Sequence, residues 1–561
     1  MKLRNMWNEL SFAQVVLYAS FFFVGIFHEY LSCAFSLLLL VWLLIEVLRH
    51  DRLTLDFSWP FLAMLLLVLG YAVTPLWAID GGEAVFGFFK FLPLPLYAVV
   101  LMQRPSDRER IIGALPRISA IITAVSIVCM YLPGLGEYFA VSGRLSGLVQ
   151  YPNTFAMMLL VAELVLITRE HLTKKDVVCL LILLIGIVYT GSRTVFVLTA
   201  LFNVPALIFN KNKKIRVVAL VSMVAGVFLV FAVCLVTGNM AVVMRYFKIS
   251  LTQSTFVGRL LYISDAFPMM LKYPFGMGYL GYHYVQQSIQ TGVYAVRYIH
   301  NDLLQIVLDV GWIPAGVFAF AIGRSVCCKG TPVRNKLILI AMTMHACFDF
   351  DWQYLSVFLM LTLFMTAPTI KTVTVTRCRV AAGTVCGVLM AACVYFGAVT
   401  AAIRFERFDT VRTLYPASTQ GNIALLQSIT DPKRSEEVAD RILAQNPYVS
   451  VAYSAKARSA YARGDFARVI EYKRKTVQTA PFSRAEYVEY GYMLVNGVRL
   501  YQEANDADSV AVCKKELINI AHSLVELKEE RLSQYGAMID TQMNYSLPSD
   551  LDSYIKKLEA E

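Results

Sequence analysis

The chain has 561 residues, 57% apolar and 16% charged, with a mean hydropathy of +0.56 and a formal net charge of +11. That composition excludes a disordered or ordinary soluble chain and points to a polytopic membrane protein. The positive charge does not indicate nucleic-acid binding, because it lies in short connections between apolar runs while the chain beyond Arg404 is close to neutral.

In chain order, Lys2 and Arg4 precede the first apolar run with no small-residue cleavage site after it, so an uncleaved first span is expected. Apolar runs of membrane length are predicted near 11–27, 30–48, 58–77, 84–102, 111–132, 151–168, 177–190, 194–209, 217–237, 303–323, 336–348, 352–369 and 380–402, about thirteen in all. Connections after even-numbered runs carry the basic clusters, such as Arg49 and Arg52, Lys213 and Lys214, or Arg377 and Arg379. Those after odd-numbered runs are nearly free of Lys and Arg, apart from Arg144, Arg193 and one long loop. The positive-inside rule then places the N-terminus in the cytoplasm and every odd connection outside. With thirteen spans the tail is also outside; with twelve it is inside. Of the eleven cysteines most lie in apolar runs, only Cys513 lies in the tail, and Cys327-Cys328 lacks zinc spacing.

The exceptional connection is the loop from about Asn239 to Gly311, too long to be mere linkage. Arg259 heads an amphipathic stretch whose Leu260, Ile263, Phe267 and Met270 recur at helical spacing and are expected to lie against the membrane surface. Pro274-Phe275-Gly276-Met277-Gly278 is a turn cluster whose glycines permit close backbone approach, expected to a ligand. Asn301 and Asp302 are good N-cap residues for the apolar helix from Leu303, which places His300 at a helix N-terminus, where anions are favoured.

Arg259 and Ile263 with three residues between them, and His300 and Gly311 with ten between them, resemble the two motifs of the large periplasmic loop in the O-antigen ligase superfamily. In that family the arginine motif usually closes with Leu; Ile263 is a volume-conserving departure. GRLSGLVQYPN (Gly143 to Asn153), TGSRT (Thr190 to Thr194) and HACFDFD (His345 to Asp351) are also similar to the family pattern, in the same order, over roughly residues 140 to 365. The resemblance extends to O-antigen polymerases and protein oligosaccharyltransferases and does not separate ligase from polymerase.

The resemblance implies an all-α, GT-C-like bacterial enzyme of the cytoplasmic (inner) membrane. Its donor would be a glycan on undecaprenyl pyrophosphate, and its acceptor a hydroxyl on another glycan or glycolipid. Arg193 and Arg259, with Arg144, are the candidate pyrophosphate clamp, since a guanidinium matches phosphate bidentately. His300 is the candidate base; Asn153, Asn301, Asp265, His345 and Asp349 are supporting residues. Blander readings stand beside these: an arginine at a membrane surface is most often an interfacial anchor, and a histidine before a span is often a polar end residue. His345 with Asp349 and Asp351 has the residue types for a divalent cation, but such a cluster is more often a polar loop. The resemblance implies transfer without a metal or other cofactor. A polysaccharide transporter is the rival from another class; it calls for ionisable residues deep in the spans and a duplicated span pattern, neither of which is evident.

The expected organisation is a polytopic domain over 1–403, with its extracytoplasmic loop at about 238–302, followed by a soluble helical domain over 404–561. In the latter, Asn446-Pro447 and Ala480-Pro481 stand 34 residues apart, and Tyr453, Ala457, Tyr461, Gly464-Asp465-Phe466 and Ile470 between them resemble a tetratricopeptide repeat. Helices near 434–445, 484–500 and 509–535 are expected to complete a small solenoid, because one repeat cannot bury its face. A structural role, or docking of a protein partner, is expected for it rather than contact with substrate. Membrane lipids are the other expected partner, and nucleic acid is not one.

Overall fold

The computed structural model describes residues 11–238, 240–247, 250, 252–539 and 541–560; Lys2, Arg4 and Asn239 lie outside them. Among the described residues the regular structure is helical apart from two small two-stranded sheets. Six of the described helices have the length and hydropathy to cross a bilayer: Glu29–His50, Trp59–Leu76, Gly81–Gln103, Asp107–Met130, Lys213–Val236 and Arg379–Arg404. Shorter apolar helices at Pro152–Ile167, Arg193–Phe209, Trp312–Cys327 and Leu355–Phe364 coincide with four more of the predicted runs. The chain is a multi-pass membrane protein. The first run is a helix only over Phe12–Ser20, followed by a short 3-10 turn at Val24–Ile26.

The short helices are the central ones. Every residue of Pro152–Ile167 except Asn153 is buried, and so is all of Leu355–Phe364. Protein-facing on all sides, they need no amphipathic stripe, and they read as continuous apolar runs. Lys213–Thr237 and Arg379–Arg404 are peripheral, and their Val217, Phe228, Val380 and Val388 remain exposed, as side chains facing lipid should be. The antiparallel strands Arg52–Phe57 and Lys371–Thr376 pair in register from Arg52 with Thr376 to Phe57 with Lys371. They tie together two of the basic connections, which therefore share one face of the molecule.

The predicted tenth span is not one helix. It divides into Asp302–Val310 and Trp312–Cys327 at Gly311, whose φ of 89° only glycine adopts without strain. A break inside an apolar helix orphans carbonyl and amide groups, and the loop supplies partners for both. Met277 N donates to Leu308 O at 2.7 Å, Gly278 N to Asp309 O at 3.0 Å, and Trp312 N to Pro274 O at 3.1 Å. A Cβ on Gly276 would stand 2.5 Å from Asp309 O. Gly276 thus permits close approach to the chain's own broken helix, where the sequence suggested a ligand, and Gly278 permits close approach to Ala78 and Ala84.

The loop itself carries helices at Met240–Phe247, Ser254–Lys272 and Gly281–Ile289. The face that Ser254–Lys272 turns to the protein is Val257, Gly258, Leu261, Asp265, Ala266 and Met270. Of the residues expected at the membrane surface, Phe267 is exposed, Leu260 and Ile263 are half-buried, and Met270 is fully buried. The tail forms successive antiparallel helices at Pro432–Gln445, Ser450–Ala462, Phe466–Thr479, Arg484–Glu503 and Ala507–Glu526. Its distal half has its own core around Phe466, Tyr490, Leu494 and Leu517. Its proximal half does not: Leu426, Val438, Ile442 and Ala452 continue the apolar core of the membrane helices. The seam is polar where it meets the connection after the second long span. Asp80 accepts from Asn446 Nδ2 at 3.0 Å and Thr419 Oγ1 at 2.5 Å, and Glu83 accepts from Ser418 Oγ at 3.1 Å.

Candidate active site

Each site residue is set by a local device. Ser142 and Gly143 both have positive φ, the requirement of a two-residue hairpin turn, and the hairpin Ala140–Val141/Arg144–Leu145 presents Arg144. Pro152 at the first position of its helix leaves Tyr151 and Asn153 at the mouth of the central helix. Asn301 caps the next, its Oδ1 accepting from Leu304 N at 3.1 Å, while its Nδ2 donates to Cys347 O at 3.0 Å. His300, immediately before that cap, is held at φ 54°, a conformation that costs a non-glycine residue about 1 kcal/mol and that occurs preferentially at functional sites.

These devices converge on Asp349, which is buried in the connection after the helix Val333–Ala346. Tyr151 OH and Asn153 Nδ2 donate to it, each at 2.8 Å. Arg259 Nη2 is 3.2 Å from Oδ2, and His300 Nδ1 is 3.3 Å from Oδ1. Burial alone would raise the Asp349 carboxyl, but the His300 ring and the Arg259 guanidinium hold it well below the usual carboxylate range. Arg144 joins through Asn153, donating to Oδ1 at 2.6 Å, and also donates to Thr190 O at 2.7 Å, a carbonyl at a helix C-terminus. The His300 ring lies between Tyr262 and Phe350, with centroids at 5.8 and 4.8 Å. With Nδ1 toward the carboxylate, Nε2 is the nitrogen left to accept a proton.

Arg193 sits beside this network. Its Nη2 donates to Thr255 Oγ1 at 3.0 Å, and it lies within electrostatic reach of Arg245 and Arg259. Arg193 and Arg259 stand together on a groove of about 410 Å³ whose walls include Val197, Leu201, Phe256 and Phe348. Arg259 Nε is buried and makes no hydrogen bond to the described residues. Burial, with Arg245 nearby, pushes the Arg144 guanidinium down to about 10. Four arginines therefore stand near one another at the end of an apolar groove, with Arg259 paired to Asp349 and Arg144 joined to it through Asn153. Such an arrangement attracts an anion with an apolar chain attached.

The remaining predicted residues take other places. Asp265 is on the Arg259 helix but bonds within the loop, to Thr291 N and Tyr294 OH, each at 2.8 Å. His345 Nδ1 meets Asp351 Oδ2, and Asp351 Oδ1 accepts from Thr154 Oγ1 at 2.6 Å. Asp349 and Asp351 thus face different partners and do not converge on one point. Asp302 accepts from Trp352 N at 2.9 Å, holding the Asp349 connection against the broken helix. Tyr151 and Arg245 went unseen in the sequence. Tyr151 stands two residues before Asn153 in a quoted motif and was accessible on that ground; Arg245, isolated in the loop's first helix, carried no such signal.

Residues 178–320 match the O-antigen ligase family, a stretch that includes Arg193, Arg259 and His300. No curated protein and no solved structure matches the chain. Over that stretch the chain is similar to the O-antigen ligase family, and the motifs on either side of it fold onto the same carboxylate.

Proposed function

We propose that the protein transfers a glycan from undecaprenyl pyrophosphate to an acceptor hydroxyl at the outer face of the bacterial cytoplasmic membrane, as a ligase. The observation that carries this reading is the joining of an apolar groove to a cluster of arginines around Asp349 and His300. The polyprenyl chain occupies the groove, and Arg193 and Arg259, with Arg144, bind the pyrophosphate. The leaving group is already competent, so the chemistry mainly needs its charge neutralised and the acceptor positioned. The acceptor oxygen attacks the anomeric carbon, the bond from that carbon to the pyrophosphate oxygen breaks, and the hydroxyl proton passes to His300 Nε2. A single displacement inverts the anomeric configuration. Asp349 orients the imidazole and balances the charge it gains.

Orientation enters the same reading. The tail and the long loop lie against each other, as an odd number of crossings requires, and the basic connections joined by the strand pair 52–57/371–376 are the cytoplasmic ones. The test is the product made in membranes from a defined lipid-linked glycan. Transfer to a second glycolipid, lowered about a hundredfold or more by His300→Ala and insensitive to chelators, is the expected result. Growth of the lipid-linked chain itself means a polymerase. Activity abolished by chelation and restored by divalent ions, with His300→Ala still active, refutes the mechanism.

A further inference from the structure

Beyond the helix Ala507–Glu526 the chain leaves the tail's core and returns to the long loop. Arg531 donates from Nε to Gln290 O at 3.2 Å and from Nη2 to Ser288 O. Ser533 N donates to Thr291 O at 2.9 Å, and Ser533 Oγ is 2.8 Å from Thr291 Oγ1. Gly536 and Gly292 meet backbone to backbone: a Cβ on Gly536 would stand 2.2 Å from Thr291 O and 3.0 Å from Gly292 Cα. Ile539 then closes a small buried apolar cluster with Val257 and Leu261, with Tyr262 and Tyr294 packed on it.

Both ends of this contact reach the helix that carries Arg259. Val257 and Leu261 flank Arg259 in sequence, and Tyr262 on the same helix is one of the two rings that enclose His300. Thr291, which the tail grips, is itself held by Asp265 of that helix, through Thr291 N at 2.8 Å and Oγ1 at 2.7 Å. We infer that residues 531–539 are a positioning element of the site, holding the helix Ser254–Lys272 so that Arg259 and Tyr262 meet Asp349 and His300 in register. Ser533, Gly536 and Ile539 are its positioning residues; none of them touches the reacting groups. The inference rests on the reading above only in taking Arg259 as part of the site. The outer face of this helix is exposed, with Phe267 47% and Leu271 61% accessible, so its place is set from its inner face, where Ile539 packs on Val257 and Leu261. Displacements on the order of an ångström at such a site cost up to about a hundredfold in rate.

The test uses the full chain in lipid nanodiscs, with Gly536→Val and Ile539→Ala read by hydrogen exchange and by transfer kinetics. Amide exchange over 254–272 should accelerate roughly tenfold or more while that of 484–526 stays unchanged, and kcat should fall while donor KM rises, because Arg259 holds both the donor's pyrophosphate and its place beside His300. Ser533→Ala should give a smaller change in the same direction, which Ser533→Thr restores by returning the hydroxyl. Should Gly536→Val loosen the whole tail, Ile539→Ala decides, since it only shortens a side chain. Unaltered exchange over 254–272 in Ile539→Ala overturns the inference. Absence of transfer by the unmodified chain sinks the glycosyltransferase reading instead, and the exchange measurement still decides the positioning role.

Discussion

Replacing Asp349 by Asn keeps the shape of the side chain and removes the charge on which the site converges. Tyr151 and Asn153 each donate to the carboxylate at 2.8 Å, and Arg259 and His300 stand at 3.2 and 3.3 Å. A hydrogen bond to a charged group contributes about 1.5–3 kcal/mol, and leaving one partner of a buried ion pair uncompensated costs about 3–5 kcal/mol. These contributions overlap, because all act through one group. An asparagine offers a single acceptor oxygen, and its amide nitrogen would face donors on the other side. The Arg259 side chain, 16% exposed, then keeps its charge without the carboxylate and moves toward water. Its displacement, together with that of His300, removes roughly 3–4 kcal/mol of transition-state stabilisation, or two to three orders of magnitude in kcat. The assay is transfer from a defined polyprenyl-pyrophosphate glycan by purified protein, with protein level and melting temperature recorded alongside. Because Asp349 acts through His300, the double variant with His300→Ala should lose little more than the worse single one. A kcat within about threefold of the unmodified chain refutes the assignment of Asp349 as the hub.

Other expectations follow from separate features. In a background lacking the exposed Cys327, Gln287→Cys and Ala504→Cys should react with a membrane-impermeant thiol reagent in intact cells, and Lys213→Cys should not; the reverse pattern overturns the orientation. Gly311→Ala would set a Cβ 2.5 Å from Pro274 O at a positive φ, so a loss of about 1–3 kcal/mol is expected, and an unchanged melting temperature counts against the interlock. Burial would raise Glu516 in the tail, but Arg474, Tyr490 and Asn519 hold it below its ordinary value of 4.5. A depressed carboxylate stabilises the fold above its unfolded pKa, and that contribution is lost as pH falls through the folded one. The tail should therefore melt lower at pH 4 than at pH 7, with the difference reduced in Glu516→Gln; equal melting curves for the two proteins refute the linkage.

Much of this molecule is legible in one dimension. Runs of apolar side chains of bilayer length, with Lys and Arg after alternate runs, announce a polytopic chain, because a bilayer admits only apolar helices and the charge bias follows their orientation. Arg144, Arg193, Arg259, His300 and Asp349 were visible through the motifs that resemble the family's. The helical periodicity of the tail was visible as well.

What the sequence could not supply is convergence. That Asn153, Arg259 and His300 share one carboxylate, with Arg144 joined through Asn153, depends on four separate chain segments meeting, and no local pattern encodes such a meeting. The break at Gly311 was hidden for a related reason: a glycine in an apolar run fits a continuous span equally well until amides from residues 277 and 278 are seen to take the freed carbonyls. The contact between Gly536 and Gly292 joins residues far apart in the chain, where small size alone permits the approach. Composition and periodicity thus determined the class of the protein, and the motif resemblance its candidate residues. Only tertiary structure decided which of them act on one another, because long-range contact is set by shape and burial rather than by spacing along the chain.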